Sequence, residues 1–138
     1  MKPINISLNE LIASNNLTIF KLLDESMIIS RVHLLNSLYF ASERGNIDFV
    51  EYIVDKYLNN NNLIYLSAAL VIAADNNKLN IIKYLLDMGA NVNHRTNSKN
   101  TALIRAVKNN NIEIVNYLLN HGAKTHYVNN NNESVLTI

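Results

Sequence analysis

The chain has 138 residues, 49% of them apolar and 17% charged, with a net charge of +1 and no cysteine. That apolar content excludes a disordered chain, and so small a net charge argues against nucleic acid or an anionic membrane as the main partner, since both need a concentrated basic surface. Without cysteine there are no disulfides, thiolate zinc sites or thiol catalysis, and the redox compartment stays open.

The first residues, MKPINISLNELI, lack the apolar core of a secretory signal. The longest run without a charge or a strong breaker, Leu63 to Ala74, is twelve residues, too short to span a membrane. A cytoplasmic or nuclear setting, a host cytoplasm included, is the default. Asparagine is the outlier, at 26 residues. Its runs at Asn59 to Asn62, Asn109 to Asn111 and Asn129 to Asn132 fall at turn positions, where Asn tolerates left-handed backbone. Codon bias in an AT-rich genome explains the excess, because Ile and Lys are plentiful too. The Asn-x-Ser/Thr triplets at Asn5, Asn16 and Asn132 are what chance delivers at this composition.

In chain order, Ser7-Leu8-Asn9-Glu10 has the form of a capping box, followed by a helix with Leu8, Leu11 and Ile12 on one face. A second helix is predicted over Leu17 to Glu25. Helices follow near Asn36 to Glu43 and Ile47 to Tyr57, with Gly45 at the corner between them. No Gly-Ala stop ends the latter. Tyr57 and Leu58 stand there, so the helix is expected to run on about a turn, into the Asn59 to Asn62 run and a non-standard loop. Next comes an apolar helix in which Ala68, Ala69, Ala73 and Ala74 allow close approach around Leu70. Its partner carries an apolar stripe of Ile81, Ile82, Leu85 and Leu86, an i,i+4 pair Lys83–Asp87, and Gly89 as helix stop. Thr101 is a predicted N-cap for the next helix.

These elements repeat. Ile82-Lys83-Tyr84-Leu85-Leu86 recurs thirty-three residues later as Val115-Asn116-Tyr117-Leu118-Leu119, each followed by Gly-Ala, at Gly89-Ala90 and Gly122-Ala123. Leu70-x-x-Ala73 recurs as Leu103-x-x-Ala106, and Leu38-x-x-Ala41 lies thirty-two residues before the first of these. Two helices per unit at a fixed period of this size is the signature of a stacked repeat protein. Thr101-Ala102-Leu103-Ile104-Arg105-Ala106-Val107 and Ala68 to Ala74, with the Leu-Leu and Gly-Ala pairs, resemble the ankyrin repeat, of the Asn-rich, divergent kind encoded by large DNA viruses or intracellular microbes. The departures are Ala for the motif's Pro, Val71 or Ile104 for its His, and Asn77 or Asn110 for its mid-repeat Gly. In the finger before Thr101 the family's Gly is Lys99, which should distort or loosen that fingertip. Asn132 is the milder substitution in the next finger.

The resemblance implies an all-α repeat solenoid of stacked helix-turn-helix units with short hairpin or finger loops. The chain divides into a degenerate N-terminal repeat or cap at 1–33, repeats at 34–65, 66–98 and 99–131, and a truncated repeat at 132–138. That last piece is expected only to open an inner helix and to leave the apolar face of its neighbour uncovered.

Chemistry is thinly represented. His121 precedes the helix-ending Gly122, where an imidazole meets the last carbonyls. His94 and His126 fall on adjacent fingers, within reach of stacking on Tyr127, and no third ligand accompanies them. Asp48, Asp75, Asp87 and Glu113 stand on separate helices without a nucleophile or His at a catalytic spacing. No enzyme activity, metal or cofactor is expected. Tyr52, Tyr84 and Tyr117 recur at one repeat position and read as packing.

In ankyrin-like stacks the inner helices and fingers line a concave groove. The resemblance therefore implies that Phe40, Glu43, Arg44, Ile72, Asp75, Asn76, Arg105, Lys108 and Asn109 face a protein partner, joined by the finger residues His94, Arg95, Asn97 and Lys99. The expected function is non-catalytic binding of a protein whose identity the sequence does not name. The alternative is a substrate-recruiting part of a larger regulatory protein with its activity beyond Ile138. A monomer is expected unless the open C-terminal end self-associates.

Overall fold

A computed structural model describes residues 7–58 and 62–137. All regular structure among them is helical: α1 Leu8–Ala13, α2 Leu17–Glu25, α3 Arg31–Arg44, α4 Ile47–Ile53, α5 Leu63–Asp75, α6 Leu79–Asp87, α7 Ala102–Lys108 and α8 Ile112–Asn120. No described helix is long and apolar enough to cross a membrane.

Local chemistry starts the helices. Side-chain oxygens of Ser7, Asn16, Ser30, Thr101 and Asn111 each accept from the amide three residues on, at 3.1, 3.3, 3.3, 3.2 and 3.1 Å, which satisfies one otherwise orphaned donor per helix. The ends follow one rule as well. Asn15, Met27, Gly45, Asn77, Gly89, Asn110 and Gly122 all take positive φ. After each, the next amide reaches back to a carbonyl in the last turn, as in Ala90 N to Leu85 O (3.0 Å) and Asn111 N to Ala106 O (3.1 Å). Asn77 and Asn110 thus do the work of the motif's glycine.

The helices form consecutive pairs, and α1, α3, α5 and α7 pack side by side as an inner layer. α5 is central, touching α3, α6 and α7. Its Leu66, Ala69, Leu70, Ala73 and Ala74 are fully buried, so three small side chains bring the neighbouring backbones close around two leucines. Ile81, Ile82 and Leu85 of α6 are also fully buried, and Leu86 is half-buried.

Two helices start earlier than the repeat motif does. α3 begins at Arg31 rather than near Asn36, because Ser30 caps it and the added turn buries Leu34. α5 begins at Leu63, five residues before the motif's first position at Ala68, and buries Leu66. Extra helical turns stand here where a finger stands before α7. As expected without a Gly-Ala stop, α4 runs on, as one turn of π-helix over Val54–Leu58 that buries Val54 and Leu58. Most of the loop predicted at Asn59 to Asn62 lies outside the described residues.

The fingertip at Lys99 is not distorted. Lys99 takes a φ of +64°, and the turn closes through Lys99 N to Thr96 O (2.8 Å) and Thr96 N to Asn100 O (2.9 Å). Thirty-three residues on, Asn132 N to Asn129 O and Asn129 N to Glu133 O, both 3.0 Å, repeat that pattern with Asn132 at +60°. An unbranched side chain tolerates the left-handed region at modest cost, so losing the Gly leaves the shape intact. Ser134 to Thr137 makes a single turn, Thr137 N to Ser134 O at 3.1 Å.

Candidate functional site: the inner-helix groove

α3 and α5 place Phe40 and Ile72 at the same register on adjacent helices, both half-buried. Together with Asn9, Asn36, Glu43, Asp75 and Asn76 they line a hollow of about 530 Å³. The Arg44 guanidinium lies 5.7 Å from the Phe40 ring centroid, within cation–π range.

The next positions are engaged in the stack. Arg105 of α7 forks onto Asp75 of α5 through Nη2 (2.6 Å) and Nε (2.7 Å). Asn109 donates its amide to the carbonyl of Asp75 at 2.7 Å, and Asn76 donates to that of Ile72 at 2.8 Å. Lys108 pairs with Glu133 at 3.1 Å. Amide bonds from Asn129 and the Lys108 ammonium together hold the Glu133 carboxyl below the usual carboxylate value. Phe40, Glu43, Arg44 and Ile72 are therefore the groove residues free of such bonds to other elements, Asn76 caps its own helix, and Asp75, Arg105, Lys108 and Asn109 also bind neighbouring elements.

The fingers at 91–100 and 124–133 are bonded to each other. Arg95 donates to Val128 O at 2.7 Å and its guanidinium lies 5.0 Å from the Tyr127 ring. Asn130 N reaches Ser98 O at 3.0 Å, and its amide reaches Asn97 O at 3.4 Å. Burial pushes the His94 imidazole below its ordinary value. His126 tilts against Tyr127, centroids 4.5 Å apart. His121 Nδ1 lies 2.7 Å from the Tyr117 carbonyl, as expected for a helix-capping imidazole. Among the described residues no three His, Asp or Glu side chains converge as metal ligands would.

The sequence reading missed a polar seam on the outer helices. Tyr52 of α4 donates to Asp24 of α2 at 2.6 Å, and Tyr84 of α6 donates to Asp55 of the π-turn at 2.8 Å. Tyr117 takes the Lys83 ammonium over its ring at 5.6 Å, so Lys83 turns to the next repeat rather than to Asp87. Asp24 is buried and also accepts from Tyr57 at 2.6 Å and Lys56 at 2.9 Å. Burial alone would raise its carboxyl; the bonds from Tyr52, Tyr57 and Lys56 outweigh that and hold it below the ordinary value. A signal was present, since Asp24, Asp55 and Asp87 recur at nearly the repeat period.

The groove thus sets apolar side chains among charges on adjacent inner helices. A search of curated proteins finds no match to the chain. A family model described as ankyrin repeats (3 copies) matches residues 38–132, a span that starts at the Leu38-x-x-Ala41 anchor and ends at the second fingertip. The chain belongs to the ankyrin-repeat family.

Proposed function

We propose that this protein is a non-catalytic binding module that holds a protein partner against its inner-helix groove. Ankyrin repeats are in general protein–protein interaction modules, and fold alone names no partner. The observation that carries the reading is the pairing of Phe40 and Ile72 on adjacent helices beside Glu43 and Asp75, an apolar centre with a polar rim. Because stacked helices hold these side chains in place, binding loses little conformational entropy. The α1–α2 pair serves as the N-terminal cap, and the setting that fits is cytoplasmic or nuclear.

The test is an affinity pull-down from lysate of the natural host, comparing wild type with Phe40→Ala/Ile72→Ala/Arg105→Glu after circular dichroism shows equal helicity. A protein retained by wild type and lost from the variant supports the groove. Identical proteins on both would place binding elsewhere.

A further inference from the structure

We infer that the groove between α1, α3 and α5 receives a partner segment bearing a bulky apolar residue and, about three extended residues further on, an arginine or lysine. The inference rests on the groove being the binding face. Two hollows make up this stretch. One, about 700 Å³, is lined by Leu8, Ile19, Leu23, Ile28 and His33. The other is the 530 Å³ hollow at Phe40 and Ile72. Asn9 and Asn36 line both, so they form one trough.

Helix length explains the first hollow. α1 starts at Leu8, thirty residues before Leu38, whereas α3 starts seven residues before Leu38. The first two turns of α3 therefore project past the start of α1, and Ile28 stays 67% exposed beside them. An apolar side chain entering there removes existing apolar surface from water.

Charge sets the other end. Glu43 lines the second hollow beside Asp75, whose carboxylate Arg105 already bridges, and no Lys or Arg lines the hollow itself. Arg44, at the rim, lies over the Phe40 ring, so an incoming cation meets Glu43 rather than that ring face. Through Asn76 the chain carries eight acidic residues against five basic ones, which favours a cationic segment and repels an acidic one. A second copy would have to break Arg105 from Asp75 or Lys108 from Glu133 to offer either of those cations. From His33 to Phe40 is roughly 10 Å along a helix, or about three residues of extended chain.

The experiment measures fluorescence polarisation of short synthetic peptides on a Gly/Ser/Ala background, with one Phe and an Arg placed at increasing distances after it, against the full chain. Binding should peak with Arg about three residues after Phe, weaken in high salt, and fall about ten-fold in Glu43→Lys and in Ile28→Glu, both exposed positions. Equal binding of peptides with Glu in place of Arg, no optimum in spacing, or Glu43→Lys binding like wild type would each overturn it. So would wild-type dimerisation abolished by Glu43→Lys, which would make a second copy the occupant. A host partner lost with the Phe40/Ile72/Arg105 variant but fully kept by Glu43→Lys would sink this inference and leave the groove reading standing.

Discussion

Lys99 holds a left-handed φ of +64° that a glycine would adopt without meeting a Cβ clash. Lys99→Gly should therefore stabilise the protein, by about 0.5–1 kcal/mol once glycine's greater unfolded-state entropy is subtracted. Chemical denaturation reads this directly, and an unchanged midpoint would mean that the finger imposes no such strain. The asparagines carry a related lesson. Their abundance reads as codon bias, yet Asn109 and Asn111 bond across to Asp75 and Asn77 of the preceding repeat, and Asn129 joins its finger to the preceding one at Asn100. Asp24 makes the strongest demand on a single side chain, since three donors converge on a buried carboxylate. Asp24→Asn should cost about 1.5–3 kcal/mol near neutral pH. The folded Asp24 carboxyl titrates below its ordinary 3.8. Its contribution is thus complete above that value and is lost as pH falls through the lower folded value. Wild type and Asp24→Asn should accordingly converge in stability only below about pH 4, which denaturation across an acid pH series would show.

At the scale of elements, the helix ends were legible because their causes are local: Thr101 caps α7 and Gly89 stops α6 within a few residues of sequence. The long first turns of α3 and α5 were not, because the repeat period places a finger there, and the Ser30 cap with the burial of Leu34 and Leu66 prevails over it. The Asp24 seam was hidden for another reason. Its partners lie 28 to 33 residues away and meet only once neighbouring repeats are in register. The repeat period puts Phe40 and Ile72 at equivalent positions, and the structure sets them in one hollow, whereas the inter-repeat bonds of Asp75 and Asn109 depend on three-dimensional register. The π-turn joins these threads, because it buries Leu58 and delivers Tyr57 to Asp24. Installing the family's stop there, as Tyr57→Gly/Leu58→Ala, should therefore lower stability by about 3 kcal/mol or more, from a lost core leucine and a lost bond to a charged acceptor. A thermal midpoint equal to or above wild type would show instead that the stop is preferred and the π-turn is strain.

Across the whole molecule, stability is a chain of neighbour contacts rather than one core. α5 has buried neighbours on three sides, whereas α8 buries Ile114 and Leu118 and leaves Ile112 71% exposed. Local opening should follow that gradient, so amides of Leu66 to Ala74 should exchange most slowly and those of α8 faster. Leu103 joins the two regimes, being 1% exposed on α7, the helix that packs on α5. Leu103→Ala removes a buried branched side chain and should cost about 2–5 kcal/mol. In a stack that loss falls mainly on the units that share the interface. Hydrogen exchange on the variant should then show α7 and α8 deprotected together while α3 and α5 keep most of their protection. A uniform loss from α1 to α8 would mean that the chain folds as a single cooperative unit. In that case a partner seated over Phe40 and Ile72 would also steady the fingers, and coupling between groove and fingertips would follow from cooperativity alone.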